Sequence, residues 1–99
     1  MAEVIQWKSR QRLEQHSRKH GRALSVPTTE AYDRSARYVI EHGTYFEYRD
    51  PKTGDWRIGY YDRGTERFVG MSDDGLIILT YFRCPERYVA SILPGSTYA

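Results

Sequence analysis

Two histidines spaced four residues apart are the first residues whose pattern could support chemistry. His16 and His20 lie in the stretch LEQHSRKHG, with Arg18 and Lys19 between them. On a helix, this spacing places both imidazoles on one face, with Cβ atoms about 6 Å apart. Three interpretations are open: a solvated basic helix end, half of a metal site, or the acid and base of an active site.

The pattern fits a zinc site poorly. The zinc motif with two histidines at this spacing has Glu directly after the first histidine and requires a third ligand. Here Ser17 follows His16, and the only other histidine is His42, which suits the end of a helix as a partner of its dipole. Cys84 is the only cysteine, so a Cys-rich zinc module and an internal disulfide are both excluded. We therefore predict neither a metal nor another cofactor.

General acid–base chemistry fits the same residues better. An imidazole titrates near neutral pH and can therefore accept or give a proton. Arg18 and Lys19 would stabilise negative charge on a phosphorane and lower the pKa of a neighbouring histidine. RNA cleavage needs a base for the 2′-hydroxyl, a cation for the developing charge and an acid for the leaving 5′-oxygen. A solvated basic helix remains compatible with the pattern.

A second candidate constellation lies in LTYFRCPERY, at the end of the most apolar run of the chain. Strand alternation places Thr80, Phe82 and Cys84 on one face and Tyr81 and Arg83 on the other. The hydroxyl of Thr80 and the guanidinium of Arg83 could hold a phosphate. The alternative is an ordinary strand end with a surface arginine. Cys84 is expected to be a small buried residue, because nothing local marks a base that would activate it.

The charge distribution favours a polyanionic partner. Residues 1–22 carry six Lys or Arg against two Glu, whereas residues 23–99 carry nine Lys or Arg against eleven Asp or Glu. A basic segment on a near-neutral body suits nucleic acid, although a solvated basic helix would look the same. Nine tyrosines supply strand and core residues, some of which could stack on bases.

Two helices are predicted before the strands begin. Ser9 is a suitable N-cap for a helix from about Arg10 to His20, and Gly21 stands where a left-handed C-cap residue belongs. The second helix, about residues 30–42, follows a cap at Thr28 or Thr29. Its apolar stripe recurs at helical spacing and consists of Tyr32, Ala36, Val39 and Ile40.

The periodicity then changes from helix to strand. Four strand-like runs follow one another: TYFEYRD, WRIGYYD, RFVGM and LIILTYF. The turns between them read DPKTGD, DRGTE and SDDG, and turn chemistry accounts for their aspartates. A last strand or short helix is predicted in PERYVASIL.

This order predicts an α+β fold, with two N-terminal helices on a twisted antiparallel sheet of four or five strands. Its 99 residues suffice for a single domain, with an ordered core at about 10–92 and loose ends at 1–8 and 94–99. Met1 favours a complete gene product. The chain has neither the apolar run of a signal peptide nor the roughly 20 apolar residues of a membrane span, so a cytoplasmic location is expected.

Laid end to end, LEQHSRKHG, TTEAYDRSARYVI and YYDRGTERFVGMSDDGLIILTYFR resemble a known family. They are similar to colicin D-like C-terminal RNase toxin domains of contact-dependent inhibition proteins, in the barnase–EndoU–colicin–RelE superfamily. The resemblance covers about Leu13 to Tyr88 and rests on the order and spacing of these segments. The chain departs from the family pattern after the strand, where the short CPERYVASIL replaces a longer tail containing His and Tyr.

The resemblance implies a metal-independent ribonuclease, often acting on tRNA. It implies His16 as the base, with His20 or Lys19 as the acid and charge stabiliser. It also implies an acidic antitoxin or immunity protein as partner. The alternatives are a non-catalytic RNA- or protein-binding module with a toxin-like fold, and a structural domain of a larger assembly. The remaining residues expected at the substrate are Thr80 and Arg83 on the phosphate, and Arg18, Tyr81 and Tyr88 around the RNA.

Overall fold

The computed structural model describes residues 4–99 and shows an α+β fold. Two helices precede a meander of four strands, and a short strand precedes the helices. A π-helical turn follows the meander. The elements are β1 (Gln6–Trp7), α1 (Arg10–His20), α2 (Thr29–His42), β2 (Thr44–Arg49), β3 (Trp56–Asp62), β4 (Arg67–Met71), β5 (Ile77–Arg83) and the π-helical turn (Tyr88–Ile92).

The sheet has five strands in the order β1-β5-β4-β3-β2. All neighbours are antiparallel except β1 and β5, in which Gln6 pairs with Ile77 and Trp7 with Ile78 in parallel. The prediction of a wholly antiparallel sheet is therefore wrong at this edge. The meander leaves one edge of β5 unpaired, and the segment before α1 supplies hydrogen bonds there, including Gln6 N–H to the Leu76 carbonyl at 2.9 Å. A strand of two residues carries no alternation that could predict it.

The segment predicted as a loose N-terminal arm contains a core residue. Trp7 is buried, and its indole Nε1–H donates to Asp33 Oδ1 on α2 at 2.8 Å. Its ring lies against the ring of Tyr32, with centroids 5.8 Å apart. Trp7 therefore joins β1 to α2. Residues 1–3 of the predicted arm lie outside the described residues.

The predicted loose C-terminal end follows the outer edge of β2. The Arg49 N–H donates to the Pro94 carbonyl at 2.8 Å, and the Thr97 N–H donates to the Glu47 carbonyl at 2.9 Å. These bonds satisfy backbone groups on the edge strand that would otherwise face solvent. The tail is thus hydrogen-bonded to the sheet, a contact between distant residues that local sequence patterns do not reveal.

Helix α1 has the predicted start, but its end differs in geometry. Ser9 Oγ accepts from the Arg12 N–H at 3.1 Å, as expected of an N-cap. Gly21 is right-handed, with φ of −59°, so the predicted left-handed C-cap is wrong. Glycine is needed there for a close approach, because a Cβ would lie 2.6 Å from the Ser17 carbonyl oxygen and 2.8 Å from that of Val26.

Helix α2 carries an apolar stripe that packs in the helix-side core of the sheet. Thr28 Oγ1 caps it by accepting from the Ala31 N–H at 3.0 Å. Tyr32, Ala36 and Val39 are fully buried, as the spacing predicts. Between residues 4 and 99, neither helix is long and apolar enough to cross a membrane.

The sheet separates two apolar clusters. Adjacent residues of β4 belong to different clusters, with Val69 facing the helices and Phe68 facing the other side. The helix-side cluster includes Trp7, Leu13, Leu24, Tyr32, Ala36, Val39, Val69, Met71, Ile78 and Tyr81. The opposite cluster includes Phe46, Tyr48, Tyr61, Phe68, Cys84, Val89 and Leu93.

Candidate functional site

An open groove of about 550 Å³ brings together residues from four parts of the chain. Helix α1, strand β5, the β2–β3 turn and the π-helical turn each contribute to its wall. We call it the histidine groove. Its lining consists of His16, Lys19, His20, Asp50, Pro51, Lys52, Thr80, Phe82 and Tyr88.

A row of rings follows one side of the histidine groove. The imidazoles of His16 and His20 are stacked, with centroids 5.9 Å apart. His16 also lies 5.6 Å from the ring of Trp7, and His20 lies 5.6 Å from the ring of Phe82. Since Trp7 and Phe82 are fixed in the sheet, they restrain the two imidazoles that α1 presents.

Both histidines are biased toward the neutral form. The pKa of His16 is lowered by burial and then by the positive charges of its neighbours His20, Arg12 and Lys19. The pKa of His20 is lowered by burial and by Lys19. A neutral imidazole has a free lone pair, which a general base requires.

His16 has one unsatisfied polar atom. Its Nδ1 is shielded from solvent and has no hydrogen-bond partner among residues 4–99. Leaving a buried polar group unpaired costs about 1–3 kcal/mol, so such groups are few and often occur at functional sites. Protonation of His16 would add charge without supplying this atom with an acceptor, which favours the neutral imidazole.

A β-bulge directs Thr80 into the histidine groove. Gly70 pairs with Thr80 and Met71 pairs with Ile78, so Leu79 has no partner across the ladder. Because of this extra residue, Ile78 can belong to the helix-side core while Thr80, two positions later, lines the groove. A strand without the bulge would place both side chains on one face.

Gly70 provides the space in which the Thr80 side chain lies. A Cβ at Gly70 would stand 2.9 Å from Thr80 Cγ2 and would also collide with the hydroxyl of Tyr48. Thr80 is partly buried, so its position depends on this close approach. Glycine is therefore required opposite the groove residue.

The β2–β3 turn carries Lys52 to the groove opposite α1. Asp50 Oδ1 accepts the backbone N–H groups of Lys52 at 2.7 Å and Thr53 at 3.0 Å, and Gly54 closes the turn with φ of +78°. Burial acts to raise the pKa of Asp50, but the two backbone N–H donors and the positive charge of Arg57 hold it below its ordinary value. Asp50 thus shapes the turn.

Aromatic rings complete the wall beyond His20. The ring of Tyr88 lies 5.7 Å from that of Phe82 in an edge-on arrangement. Burial raises the pKa of the Tyr88 phenol, so its hydroxyl remains protonated and can donate a hydrogen bond at neutral pH. Phe82 and Tyr88 therefore offer ring faces and edges beside the histidines.

Five of the eight predicted site residues meet in this groove, and three do not. Arg83 is exposed and pairs with Glu66 Oε1 at 3.2 Å, outside the groove. Tyr81 is buried in the helix-side core, because alternation along β5 turns it away from Thr80. Arg18 faces a separate cavity at the end of α1. The five that meet are His16, Lys19, His20, Thr80 and Tyr88.

Four groove residues are not among the site residues that the sequence predicts. Asp50, Pro51 and Lys52 belong to the predicted DPKTGD turn, and Phe82 belongs to a predicted strand. A lysine in a hairpin turn is ordinarily solvated, so its type carries no signal. The shared parity of Thr80 and Phe82 on β5 was the one available indication that both would line the same surface.

Other titratable residues lie elsewhere. Cys84 is buried, and burial raises the pKa of its thiol to about 12, which opposes a role as nucleophile. His42 lies against Tyr38 in a tilted arrangement, with ring centroids 4.2 Å apart, at the end of α2. Asp62 and Asp74 accept backbone N–H groups within their turns.

Comparisons of the chain with protein-family models, with curated proteins and with solved structures found no match. The toxin-domain resemblance therefore rests on the sequence segments alone. Within the described part of the chain, no three His, Cys, Asp or Glu residues are grouped closely enough to hold a metal ion. The groove offers two imidazoles, two ammonium groups, the Asp50 carboxylate and the hydroxyls of Thr80 and Tyr88.

Proposed function

We propose that the chain is an endoribonuclease in which two histidines supply the acid and base, so that no metal is required. The single observation that carries the proposal is the meeting of His16, Lys19 and His20 from α1 with Thr80 from β5 on one groove. These residues are far apart in sequence. A base, an acid, a cation and a hydroxyl at one surface are the requirements of phosphodiester transesterification.

In the proposed reaction, the neutral imidazole of His16 takes the proton of the 2′-hydroxyl. The 2′-oxygen then attacks the adjacent phosphorus, and the bond from phosphorus to the 5′-oxygen breaks. Protonated His20 gives its proton to that leaving oxygen. The products are a 2′,3′-cyclic phosphate and a 5′-hydroxyl, so atoms and charges balance without a co-reactant.

The remaining groove residues are assigned to the phosphate and the base. Lys19 and Lys52, from opposite walls, would stabilise the negative charge that grows on the phosphorane oxygens. The hydroxyl of Thr80 would donate a hydrogen bond to the same group. Lys52 takes the part that the sequence assigned to Arg83. Tyr88 and Phe82 would contact a nucleobase by stacking.

Within this proposal, the family resemblance suggests a toxin of the colicin D-like type acting on tRNA. Such a toxin requires a neutralising partner in the cell that produces it. A partner with an acidic surface could cover the groove by pairing with Lys19 and Lys52.

A non-catalytic RNA-binding module is the second candidate. The observation in its favour is that the pKa values of both His16 and His20 are lowered. A lowered pKa favours the neutral imidazole in the free protein, whereas a general acid must carry a proton. A bound phosphate would raise the pKa of His20, which the ribonuclease proposal requires.

The test is cleavage of total tRNA in the presence of EDTA by wild type, His16→Ala, His20→Ala and Thr80→Ala. His42→Ala is the matched control, because His42 lies outside the groove. Loss of an acid or base typically costs about 10²–10⁴-fold in rate, so His16→Ala and His20→Ala are each expected to lose activity in this range. Product ends are identified by their susceptibility to kinase and phosphatase.

The expected products carry a 2′,3′-cyclic phosphate and a 5′-hydroxyl, and His42→Ala is expected to match wild type. Binding of tRNA without any cleavage by the wild type would favour the second candidate. Cleavage that survives in both histidine variants would overturn the assignment of acid and base.

A further inference from the structure

A smaller cavity of about 160 Å³ lies beyond the histidine groove and shares Asp50 with it. A third cavity, of about 310 Å³, connects the two along α1 and shares Arg12 with the small cavity and His16 with the groove. The three cavities therefore adjoin one another through shared side chains, and we call them together the cationic cleft. The small cavity is lined by Lys8, Arg12, Asp50, Arg57, Ile78 and Leu79.

Arg57 is the most enclosed cation of the small cavity. Its side chain is 19% exposed, and its guanidinium lies 3.8 Å from Asp50 and 3.7 Å from Asp55. Those distances are longer than a hydrogen bond, and Nε has no hydrogen-bond partner within residues 4–99 while being shielded from solvent. Its Nη1 donates to the Trp56 carbonyl at 3.3 Å, so an anion in the cavity would be met by the remaining Nη hydrogens of a guanidinium that the fold already holds in place.

The cations along α1 follow the direction of the cleft. Arg12, His16 and Lys19 are spaced at i, i+4 and i+7, so they lie on one helix face. A rise of about 1.5 Å per residue separates Arg12 from Lys19 by roughly 10 Å along the axis. Arg12 forms no ion pair with any described residue, so its charge remains available to a ligand.

The negative charge of Asp50 is already engaged. Its Oδ1 accepts two backbone N–H groups in the β2–β3 turn, and its Oδ2 faces Arg57. The lining of the small cavity therefore has three cations, Lys8, Arg12 and Arg57, and one carboxylate, that of Asp50, while Asp55, which lies 3.7 Å from Arg57, does not line it. Its volume exceeds that of several water molecules, at about 30 Å³ each.

We infer that the small cavity is a second phosphate subsite, which binds a neighbouring phosphate of the RNA strand whose scissile phosphate lies at His16, His20 and Thr80. The inference rests on the proposed function and specifies its substrate: a single strand of several nucleotides that follows the cationic cleft. The unpaired bases can reach Phe82 and Tyr88 at the other end of the cleft.

The experiment measures binding of two non-cleavable 2′-deoxy oligonucleotides, a dinucleotide and a hexanucleotide, by fluorescence anisotropy at several salt concentrations. The variants are Arg57→Gln and Arg12→Gln, which remove cations of the subsite. Arg34→Gln is the control, because Arg34 is an exposed cation on α2 that lines none of the three cavities.

We expect the wild type to bind the hexanucleotide more tightly than the dinucleotide. Arg57→Gln and Arg12→Gln should each weaken hexanucleotide binding about 10-fold and leave dinucleotide binding within 2-fold. Each lost phosphate contact should also reduce the slope of log K against log salt by about 0.7. Arg34→Gln removes one charge that lies outside the three cavities. Any change in its affinity for the oligonucleotides or in its salt slope should be no larger than the effect of that distant charge. Arg12→Gln keeps the test decisive if Arg57→Gln disturbs the β2–β3 turn, because Arg12 is exposed and unpaired among the described residues.

Equal loss for both oligonucleotides, or a loss no larger than that of Arg34→Gln, would overturn the subsite. Because the probes cannot be cleaved, the result is independent of catalysis. A length-dependent loss in a protein that does not cleave RNA would retain the subsite and reject the ribonuclease. Cleavage of RNA by a protein whose loss of binding in the variants does not depend on oligonucleotide length would retain the ribonuclease and reject the subsite.

Discussion

The imidazole of His20 lies against the ring of Phe82, with centroids 5.6 Å apart. This contact joins the last turn of α1 to β5 across 62 residues of sequence. It positions the stacked pair of His16 and His20 beside Thr80, which precedes Phe82 by two residues. The candidate site therefore depends on the docking of a short polar helix against one strand.

We expect the proposed cleavage to depend on pH through the lowered pKa values of His16 and His20. The base must be neutral and the acid protonated, and kcat/KM reports both groups in the free enzyme. With both pKa values below the ordinary 6.5, we expect a bell-shaped profile of kcat/KM with its optimum on the acidic side of pH 6.5. Initial rates on a fluorogenic RNA between pH 4.5 and 8.5 measure it. An optimum above pH 7.5 would contradict the assignment.

The same two shifts give folding stability a dependence on pH. Since the pKa values of His16 and His20 are lower in the folded state, the unfolded chain binds more protons as the pH falls below 6.5. We therefore expect the contribution of the two histidines to the free energy of unfolding to be fully present above pH 6.5. It should decrease as the pH falls toward the pKa values that the two histidines have in the folded state. Urea unfolding between pH 5 and 7.5 measures the slope, which should become smaller in the His16→Gln/His20→Gln variant. An equal slope in both proteins would refute the prediction.

Substitution Gly70→Ala should damage both stability and the site. The added Cβ would meet Thr80 Cγ2 at 2.9 Å and the hydroxyl of Tyr48. Overpacking of this kind typically costs about 1–3 kcal/mol, and displacement of Thr80 should reduce cleavage further. Urea unfolding and the tRNA assay measure the two effects.

The matched control for Gly70→Ala is Gly64→Ala, whose Cβ would meet only Asp62 Oδ1 at 3.5 Å. It should change the free energy of unfolding by less than about 0.5 kcal/mol. Adding Tyr48→Phe to Gly70→Ala removes one colliding atom and should restore part of the lost stability. Equal stability of Gly70→Ala and Gly64→Ala would show that the close approach does not matter.

Arg67 should contribute to stability through neutral partners. Its guanidinium donates to Ser35 Oγ at 2.8 Å and to the Leu24 carbonyl at 3.0 Å, and Ser35 is in turn hydrogen-bonded to the Tyr81 hydroxyl. Arg67→Ala removes the donor to the Leu24 carbonyl, so we expect a loss of about 1–3 kcal/mol in the free energy of unfolding. Arg63→Ala is the control, because its side chain is 80% exposed, and its ion pair should be worth less than about 1 kcal/mol. Comparable losses in the two variants would contradict the role of Arg67.

Cys84 should be unreactive in the folded protein and dispensable for cleavage. It is buried, and burial raises the pKa of its thiol to about 12, so the thiolate population at neutral pH is very small. We expect iodoacetamide to label it only under unfolding conditions and Cys84→Ala to keep wild-type cleavage. Mass spectrometry of the alkylated protein and the tRNA assay measure these outcomes. Rapid labelling of native protein would indicate that the thiol is open to solvent.

Elements that depend on neighbouring residues were predictable. The start of α1 at Ser9, the start of α2 at Thr28 and the DPKTGD turn, in which Gly54 has a positive φ, agree with the sequence patterns. Each depends on hydrogen bonds within a few residues or on the freedom of one glycine. The alternation along β5 also separated Thr80 from Tyr81 correctly.

Features that depend on distant contacts were not predictable. The parallel pairing of β1 with β5, the right-handed Gly21 and the hydrogen-bonded tail at Thr97 arise from contacts outside their own segments. The positively charged residues of the site were not predictable for the same reason. The turn residue Lys52 lies in the groove, whereas Arg83, which the sequence places at the phosphate, pairs with Glu66 outside it.

The sequence by itself determined the two helices, the four-stranded meander and a helix face that presents His16 and His20, because caps, turns and periodicity act over short separations. Only the tertiary structure decided that this face meets Thr80, since that meeting requires α1 to dock beside β5 and Leu79 to bulge. Docking minimises exposed apolar area over the whole chain, so the side chains that share a groove are set by packing among distant residues.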